Sequence, residues 1–352
     1  MIGGDFLFNK NLFLNKKKNN LLESIEEKNY YLLNSGRSSI TFILLFLRKE
    51  HSVKKAYLPF FCCETIKDTF KYHNFEIVYF SSNIKNNQKY SFSKNSVVLF
   101  INYFGINNLN FAKQIKRQKK NIFIIEDSVQ SCVSSHSIKN NIYDFQISSF
   151  RKFLPVPDGS LLISKYKINE KIKKANITQL TGSIVSKSLK LQKIVSDNVY
   201  LKVHLESERL FAPSKNIFEM SNFSKFLFSR LDIEHFNKIR VKNWKIVNNF
   251  LKKKKYKLKL EPLFKTLNKK EVPLGFPLLV NFDRKKFLNY LKFNKIYCPV
   301  HWVIKKRPNK KYLLADFNIS KRILTIPIDQ RVTNNKLLYM LRLIDNYVNK
   351  IA

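Results

Sequence analysis

Short apolar runs rich in β-branched and aromatic residues recur along the first half of the chain, separated by segments of helical periodicity. Strands are predicted at Lys54–Leu58, Phe75–Phe80, Val97–Asn102, Ile122–Glu126, Phe145–Ser149 and Ser160–Ser164. A helix is predicted over Leu21–Glu27. Another begins near Ser38 and carries Ile40, Ile43, Leu44 and Leu47 on one face. Cys63–Tyr72 and Asn110–Gln118 are amphipathic and fall between strands. Such alternation predicts an α/β domain with a mostly parallel sheet and helices on both faces. From Lys165 to Lys215 the pattern is polar and mixed, and it is read as helical. A long helical stretch then runs from Asn222 to Leu251, with Phe226, Leu227, Leu231, Ile239 and Val247 as its apolar face. Strands at Leu278–Asn281 and Ile323–Ile326 alternate with helices at Arg284–Asn294 and Lys336–Val348. This predicts a smaller α+β domain, so the chain divides into residues 1–220 and 221–352.

Composition agrees with a folded protein: 352 residues, 44% hydrophobic and 14% aromatic. Against 65 Lys and Arg stand only 25 Asp and Glu, a net charge of +40. The lysines are spread through every segment and accompany no nucleic-acid-binding motif. The charge therefore reads as composition bias on a solvated surface, and no specific nucleic-acid partner is expected. A milder role survives, in which a positive field attracts an anionic small substrate or an anionic membrane face. The longest apolar run, Ile40 to Leu47, is too short to span a bilayer, and no signal-peptide pattern opens the chain. A cytoplasmic location is expected. Cys62, Cys63, Cys132 and Cys298 have no zinc-like spacing and read as free thiols, and no metal site is expected.

Four local features carry candidate chemistry. Asn34-Ser35-Gly36-Arg37-Ser38-Ser39 opens an apolar helix. Glycine, free amides and hydroxyls at a helix's positive end make a phosphate seat, although an ordinary serine N-cap explains the same residues. Asp127 closes a buried strand, and a buried carboxylate there needs a partner. A pyridinium N–H supplies one, a plain helix cap another. Gln130 lies three residues on, placed to hydrogen-bond a ring hydroxyl or the carboxylate. Lys152 follows Ser149-Phe150-Arg151 at the end of the next strand, wedged against Phe153-Leu154, where desolvation favours the neutral nucleophilic amine. Pro155, Pro157 and Gly159 then shape a tight return. Finally, Pro59-Phe60-Phe61-Cys62-Cys63 joins a strand to a helix on the same side.

In this order and spacing the chain resembles the DegT/DnrJ/EryC1/StrS family, the fold-type I sugar-nucleotide aminotransferases that use pyridoxal 5'-phosphate (PLP). Ser35-Gly36-Arg37-Ser38 resembles the family's phosphate turn, Asn102-Tyr103-Phe104-Gly105 its His-x-x-Gly strand end, and Glu126-Asp127-Ser128-Val129-Gln130 its Glu-Asp-Ala-Ala-Gln/His motif. Ser149-Phe150-Arg151-Lys152 stands where the Schiff-base lysine follows Ser-Phe, two residues shorter than the usual spacing. A gapless match brings Leu154 to that position instead. Tyr297-Cys298-Pro299-Val300-His301-Trp302 is similar to a small-domain Pro-x-His stretch. The resemblance implies a PLP-binding large α/β domain and a small α+β domain. It implies Lys152 as the catalytic lysine and Gly36, Arg37, Ser38, Cys63, Asp127, Gln130 and Ser149 around the cofactor. Cys63 stands where an aromatic commonly stacks on the ring. His301 would contact substrate. The implied reaction moves an amine from a donor, glutamate, to a keto group on a nucleotide-linked sugar in surface polysaccharide or glycan synthesis, by a homodimer. The alternative is a non-transaminating relative that binds PLP or a nucleotide, or a structural partner in glycan assembly.

Overall fold

The computed structural model describes all residues except 9–18, 20, 22–24, 26–28, 83, 85–89, 119–120, 132–141, 193–194, 254–255, 257 and 352. The helix expected over Leu21–Glu27 and Cys132 lie largely or wholly outside the described residues.

Seven strands form the main sheet: β1 (Asn29–Leu33), β2 (Lys55–Pro59), β3 (Glu76–Phe80), β4 (Ser96–Ile101), β5 (Ile122–Asp127), β6 (Phe145–Ser149) and β7 (Ser160–Ser164). Their order is β1-β7-β6-β5-β4-β2-β3, and only β7 runs against the rest. β4, β5, β6 and β7 are buried at every position, as strands covered on both faces must be. The parallel strands end on one edge. Leu33, Pro59, Ile101, Asp127 and Ser149 therefore deliver their following loops to the same side of the sheet, where ligands bind in such folds.

Helix α1 (Gly36–His51) lies against the sheet. Ser35 caps it by accepting from Ser38 N, and Arg48, Lys49 and His51 face its negative end. Ile40, Phe42, Ile43, Leu44, Phe46 and Leu47 are all buried, each worth roughly 1.5–3 kcal/mol of transfer free energy. Helices α2 (Glu64–Tyr72) and α3 (Leu109–Lys116) complete this half. The stretch expected to be helical after residue 165 contains α4 (Ile177–Gln192) and α5 (Asp197–Arg209), which pack on each other.

A second core gathers three antiparallel strands, β8 (Leu260–Pro262), β9 (Phe276–Val280) and β10 (Ile323–Ile326), with α7 (Ile233–Leu251), α8 (Arg284–Phe293) and α9 (Asn334–Lys350). The expected single helix over Asn222–Leu251 is two helices, α6 (Asn222–Ser229) and α7. Asp232 restarts the chain by accepting from His235 N, so the break is a capping event. The predicted apolar face is split accordingly. Leu227 and Leu231 pack with Phe150, Leu154 and Phe228, Val247 packs in the second core, and Phe226 is exposed. Strand β1 carries no period-two signal, because its tyrosines are half-exposed at the sheet edge.

The segment from β6 to β7 turns on Gly159, whose φ of +128° is open to glycine; a Cβ there would lie 2.8 Å from Phe150 Cδ2 and 2.9 Å from Met220 Cε. Asp158, just before it, accepts from Ser221 N at 2.9 Å, Ser221 Oγ at 2.7 Å and Ser224 Oγ, which ties the loop to the start of α6. Gly159→Ala is expected to destabilise the fold by roughly 2–4 kcal/mol through combined backbone strain and overpacking. Chemical denaturation checks this: a lower midpoint at unchanged slope is the expected result.

Candidate active site

Five loops meet at the carboxyl edge of the sheet. After β1, the turn Asn34-Ser35 leads into α1. Ser38 Oγ donates to Asn34 Oδ1 at 2.5 Å and Ser38 N donates to Ser35 Oγ at 3.2 Å. Gly36 packs closely enough that a Cβ would touch Val129 Cγ2 at 3.6 Å, which brings the turn against the loop after β5. Among the described residues, the amides of Gly36 and Arg37 have no acceptor, and α1 has no acidic residue in its first turn. Such a helix end attracts an anion.

Asp127 ends β5, buried to 4% exposure. Its Oδ1 accepts from Val129 N at 2.9 Å, and among the described residues Oδ2 has no hydrogen-bond partner. Burial pushes its carboxyl up to about 6, a rise held in check by the Val129 amide and the Lys152 charge. The neighbouring Glu126 is pushed up to about 7 by burial, against hydrogen bonds from Ser128 and Asn102. Asn102, after β4, also donates to Ser128 Oγ at 3.1 Å and accepts from Asn108 N at 3.0 Å. It thus fixes the loops after β4 and β5 to each other, a task its place in the sequence did not reveal.

Gln130 is placed differently from expectation. Its Oε1 accepts from Phe104 N at 2.8 Å, and Phe104 sits at a φ of +56°. The side chain thus holds a left-handed turn in place, using one lone pair of that oxygen. Ser149, at the end of β6, is buried, and its Oγ has no partner among the described residues.

Lys152 closes a single 3₁₀ turn, Phe150–Lys152, directly after β6, and its side chain is exposed rather than desolvated as expected, because Phe153 and Leu154 turn into the core. Its charge reaches both Asp127, whose carboxyl it holds down, and His301, whose imidazole it disfavours protonating. Leu154 is 2% exposed and packs among Phe150, Met220 and Phe228, away from this edge. Of the two positions the spacing allowed, the open side chain is Lys152.

His301 comes from the C-terminal part. Its Nδ1 lies 2.9 Å from Thr325 Oγ1, and its ring packs edge-on to Phe104 at 5.8 Å. Burial, then the Lys152 charge, pulls its pKa down to about 3, so it is neutral near pH 7. Trp302 beside it packs against Phe61 and Tyr103 in the main core. Cys63 stands at the N-cap position of α2, half-buried, with Sγ 3.1 Å from Thr65 Oγ1 and within electrostatic reach of Arg37. Arg37 itself leans away from the turn: its Nη2 lies 3.5 Å from Glu208 Oε2, on α5. The structure therefore gathers Gly36, Ser38, Asp127, Lys152 and His301 on one edge, with Cys63 and Arg37 at its side. Among the described residues no group of His, Cys, Asp and Glu is arranged to hold a metal. Nor, among the described residues, is any helix long and apolar enough to cross a membrane.

Solved structures share this architecture over nearly the whole chain. The sugar aminotransferase CalS13 from Micromonospora echinospora superposes with a TM-score of 0.64 at 11% identity, covering 98% of this chain and 100% of its own. The fold is that of the sugar aminotransferases. PseC from Helicobacter pylori, an aminotransferase involved in the biosynthesis of pseudoaminic acid, matches with a TM-score of 0.65 at 12% identity over 99% of this chain and 94% of its own. A putative sugar aminotransferase from Streptococcus pneumoniae, Spr1654 in its PLP form, matches with a TM-score of 0.63 at 12% identity over 99% and 94%. No family model matches the chain, and no curated relative matches its sequence significantly. The strand order with one reversed strand, the small C-terminal sheet and the loops of the carboxyl edge thus agree with the fold-type I expectation.

Proposed function

We propose that the protein is a PLP-dependent aminotransferase that passes an amino group, from glutamate as donor, to a keto group on a nucleotide-linked sugar. The observation that carries the reading is the pairing of an exposed Lys152 with a buried, half-satisfied Asp127 at the carboxyl edge of this fold. The residues fit the cofactor. Asp127 is a buried residue whose Oδ2 has no donor among the described residues, the role a ring N–H fills, and the open amides of Gly36 and Arg37 suit a phosphate.

Bound PLP would supply an electron sink for the carbon from which a proton is removed. Asp127 would keep the ring nitrogen protonated, and its raised pKa means that this partner also relieves the cost of burying its charge. Lys152 Nζ would tether the cofactor and, once released, take and return the proton at the substrate carbon. Ser38 and the first amides of α1 would orient the phosphate. Ser149 Oγ and Cys63 would border the ring. The neutral His301, held by Thr325, would offer Nε2 to a sugar hydroxyl. The overall charge of +40 would draw in a diphosphate-bearing substrate.

We further propose a homodimer. Its support is the set of exposed apolar side chains on α4 and α5, with Ile177 at 77%, Leu205 at 57% and Leu201 at 47% exposure. The cytoplasm, and the synthesis of surface glycans, complete the reading. Incubation with PLP, glutamate and a panel of nucleotide-linked keto sugars tests it: 2-oxoglutarate should exceed one equivalent per cofactor only when a keto sugar is present, and should be absent without cofactor. Bound PLP with no product from any amino donor would instead select the non-transaminating relative.

A further inference from the structure

Arg37 and Arg151 come from different loops of the carboxyl edge, yet both guanidinium groups converge on one carboxylate. Glu208, near the end of α5, places Oε1 on Arg151 Nη2 and Oε2 3.5 Å from Arg37 Nη2. Phe211 underlies both arginines, 4.4 Å from the Arg151 guanidinium and 5.9 Å from that of Arg37. The arginine side chains are the deeper partners, at 16% and 19% exposure, and the glutamate is the outer one at 33%. Arg151 Nε is buried without a partner among the described residues. Buried Lys187 adds its influence to Arg151 and Glu208. Two guanidiniums, one unsatisfied N–H and the open amides of Gly36 and Arg37 exceed what one carboxylate can satisfy.

We infer that Glu208 is a resident counter-anion that holds Arg37 and Arg151 until a phosphate group displaces it. A phosphate dianion carries up to two charges and several acceptor oxygens, so it can bridge both guanidiniums where a carboxylate fixed on a helix gives one oxygen to each. Arg37 is two residues from Ser35 and Arg151 two from Ser149, so the pair flanks the turn at the start of α1. On binding, Glu208 swings outward, the direction in which it is already exposed, and the two arginines turn toward the incoming group. The site would then select for phosphate monoesters and diphosphates over carboxylates of the same size. The inference relies on the proposed function only for which phosphate-bearing molecule arrives.

Calorimetric titration of inorganic phosphate, against chloride at matched ionic strength, tests the inference on the full chain. Glu208→Gln is expected to tighten phosphate binding by on the order of tenfold, because the competing charge is gone while the side-chain shape stays. Adding Arg151→Gln in that background is expected to remove the gain. Should Glu208→Gln not fold, Glu208→Asp, which withdraws the charge by one methylene, should tighten binding by a few fold. Unchanged or weaker phosphate affinity in the folded Glu208 variants would overturn the inference. The readout is independent of PLP chemistry. A PLP absorption band in a protein whose phosphate affinity ignores Glu208 would sink this inference alone, and Glu208-dependent phosphate binding without any band would sink the aminotransferase reading alone.

Discussion

Lys152→Ala is expected to lower aminotransferase turnover by at least about a thousandfold, while leaving thermal stability within about 0.5 kcal/mol of the parent. The two halves of the expectation come from different observations. Lys152 is exposed and, among the described residues, makes no hydrogen bond or ion pair, so the native packing loses nothing when it is truncated. Its charge nevertheless acts on both Asp127 and His301, which places its amine within electrostatic reach of the two groups. A proton carrier and tether is therefore lost without a structural one. Lys152→Arg sharpens the comparison: it keeps the charge that steadies Asp127 but removes the nucleophilic amine, and it should be as inactive as alanine. Steady-state rates with glutamate, set beside melting curves, check both statements. Activity retained in either variant would move the catalytic lysine elsewhere.

Asp127→Asn is expected to stabilise the cofactor-free protein and to weaken PLP binding at the same time. Burial raises the carboxyl from its ordinary 3.8 to about 6. The sign follows from proton counts. Between those two values the native chain holds a proton that the unfolded chain has released, so raising the pH through this window removes stability. Above pH 6 the parent bears the whole cost of a buried charge, on the order of 1–3 kcal/mol, and the asparagine variant does not. Asparagine can still accept from Val129 N. The variant should therefore melt higher than the parent at pH 8, with the gap closing as the pH falls through 6 towards 4. In the presence of PLP the ranking should reverse, because asparagine cannot hold the ring nitrogen in its protonated form. Melting curves across pH, with and without PLP, measure both effects. A variant less stable than the parent at pH 8 without cofactor would show that Asp127 already has its partner within the chain.

The parts of this picture legible in the sequence are those built from local patterns. Buried strands announce themselves by continuous apolar runs, and six strands of the main sheet were located to within a residue or so of their ends. Asp127 and Lys152 stood out because a charged residue directly after such a run must either reach solvent or find a partner. The edge strand Asn29–Leu33 escaped because one face of an edge strand meets water, which erases the run. Asp232 looked like one polar residue within a helical period, whereas its side chain cap divides that period into two helices. The spacing of Gln130 from Asp127 predicts a ligand-facing role. Its actual partner, the Phe104 amide, is 26 positions away and belongs to a turn whose left-handed residue carries no sequence signal. Arg151 and Glu208 are 57 positions apart, so no periodicity links them, and only the packing of α5 across the loops brings them together.

The most direct measurement is to incubate the purified protein with PLP, record its visible spectrum, reduce it with borohydride and map the modified peptide by mass spectrometry. The account predicts a visible absorption band that glutamate shifts, and, after reduction, a single stoichiometric modification on Lys152. A folded protein that develops no band, or one whose modification falls on other lysines while Lys152 stays free, would contradict it.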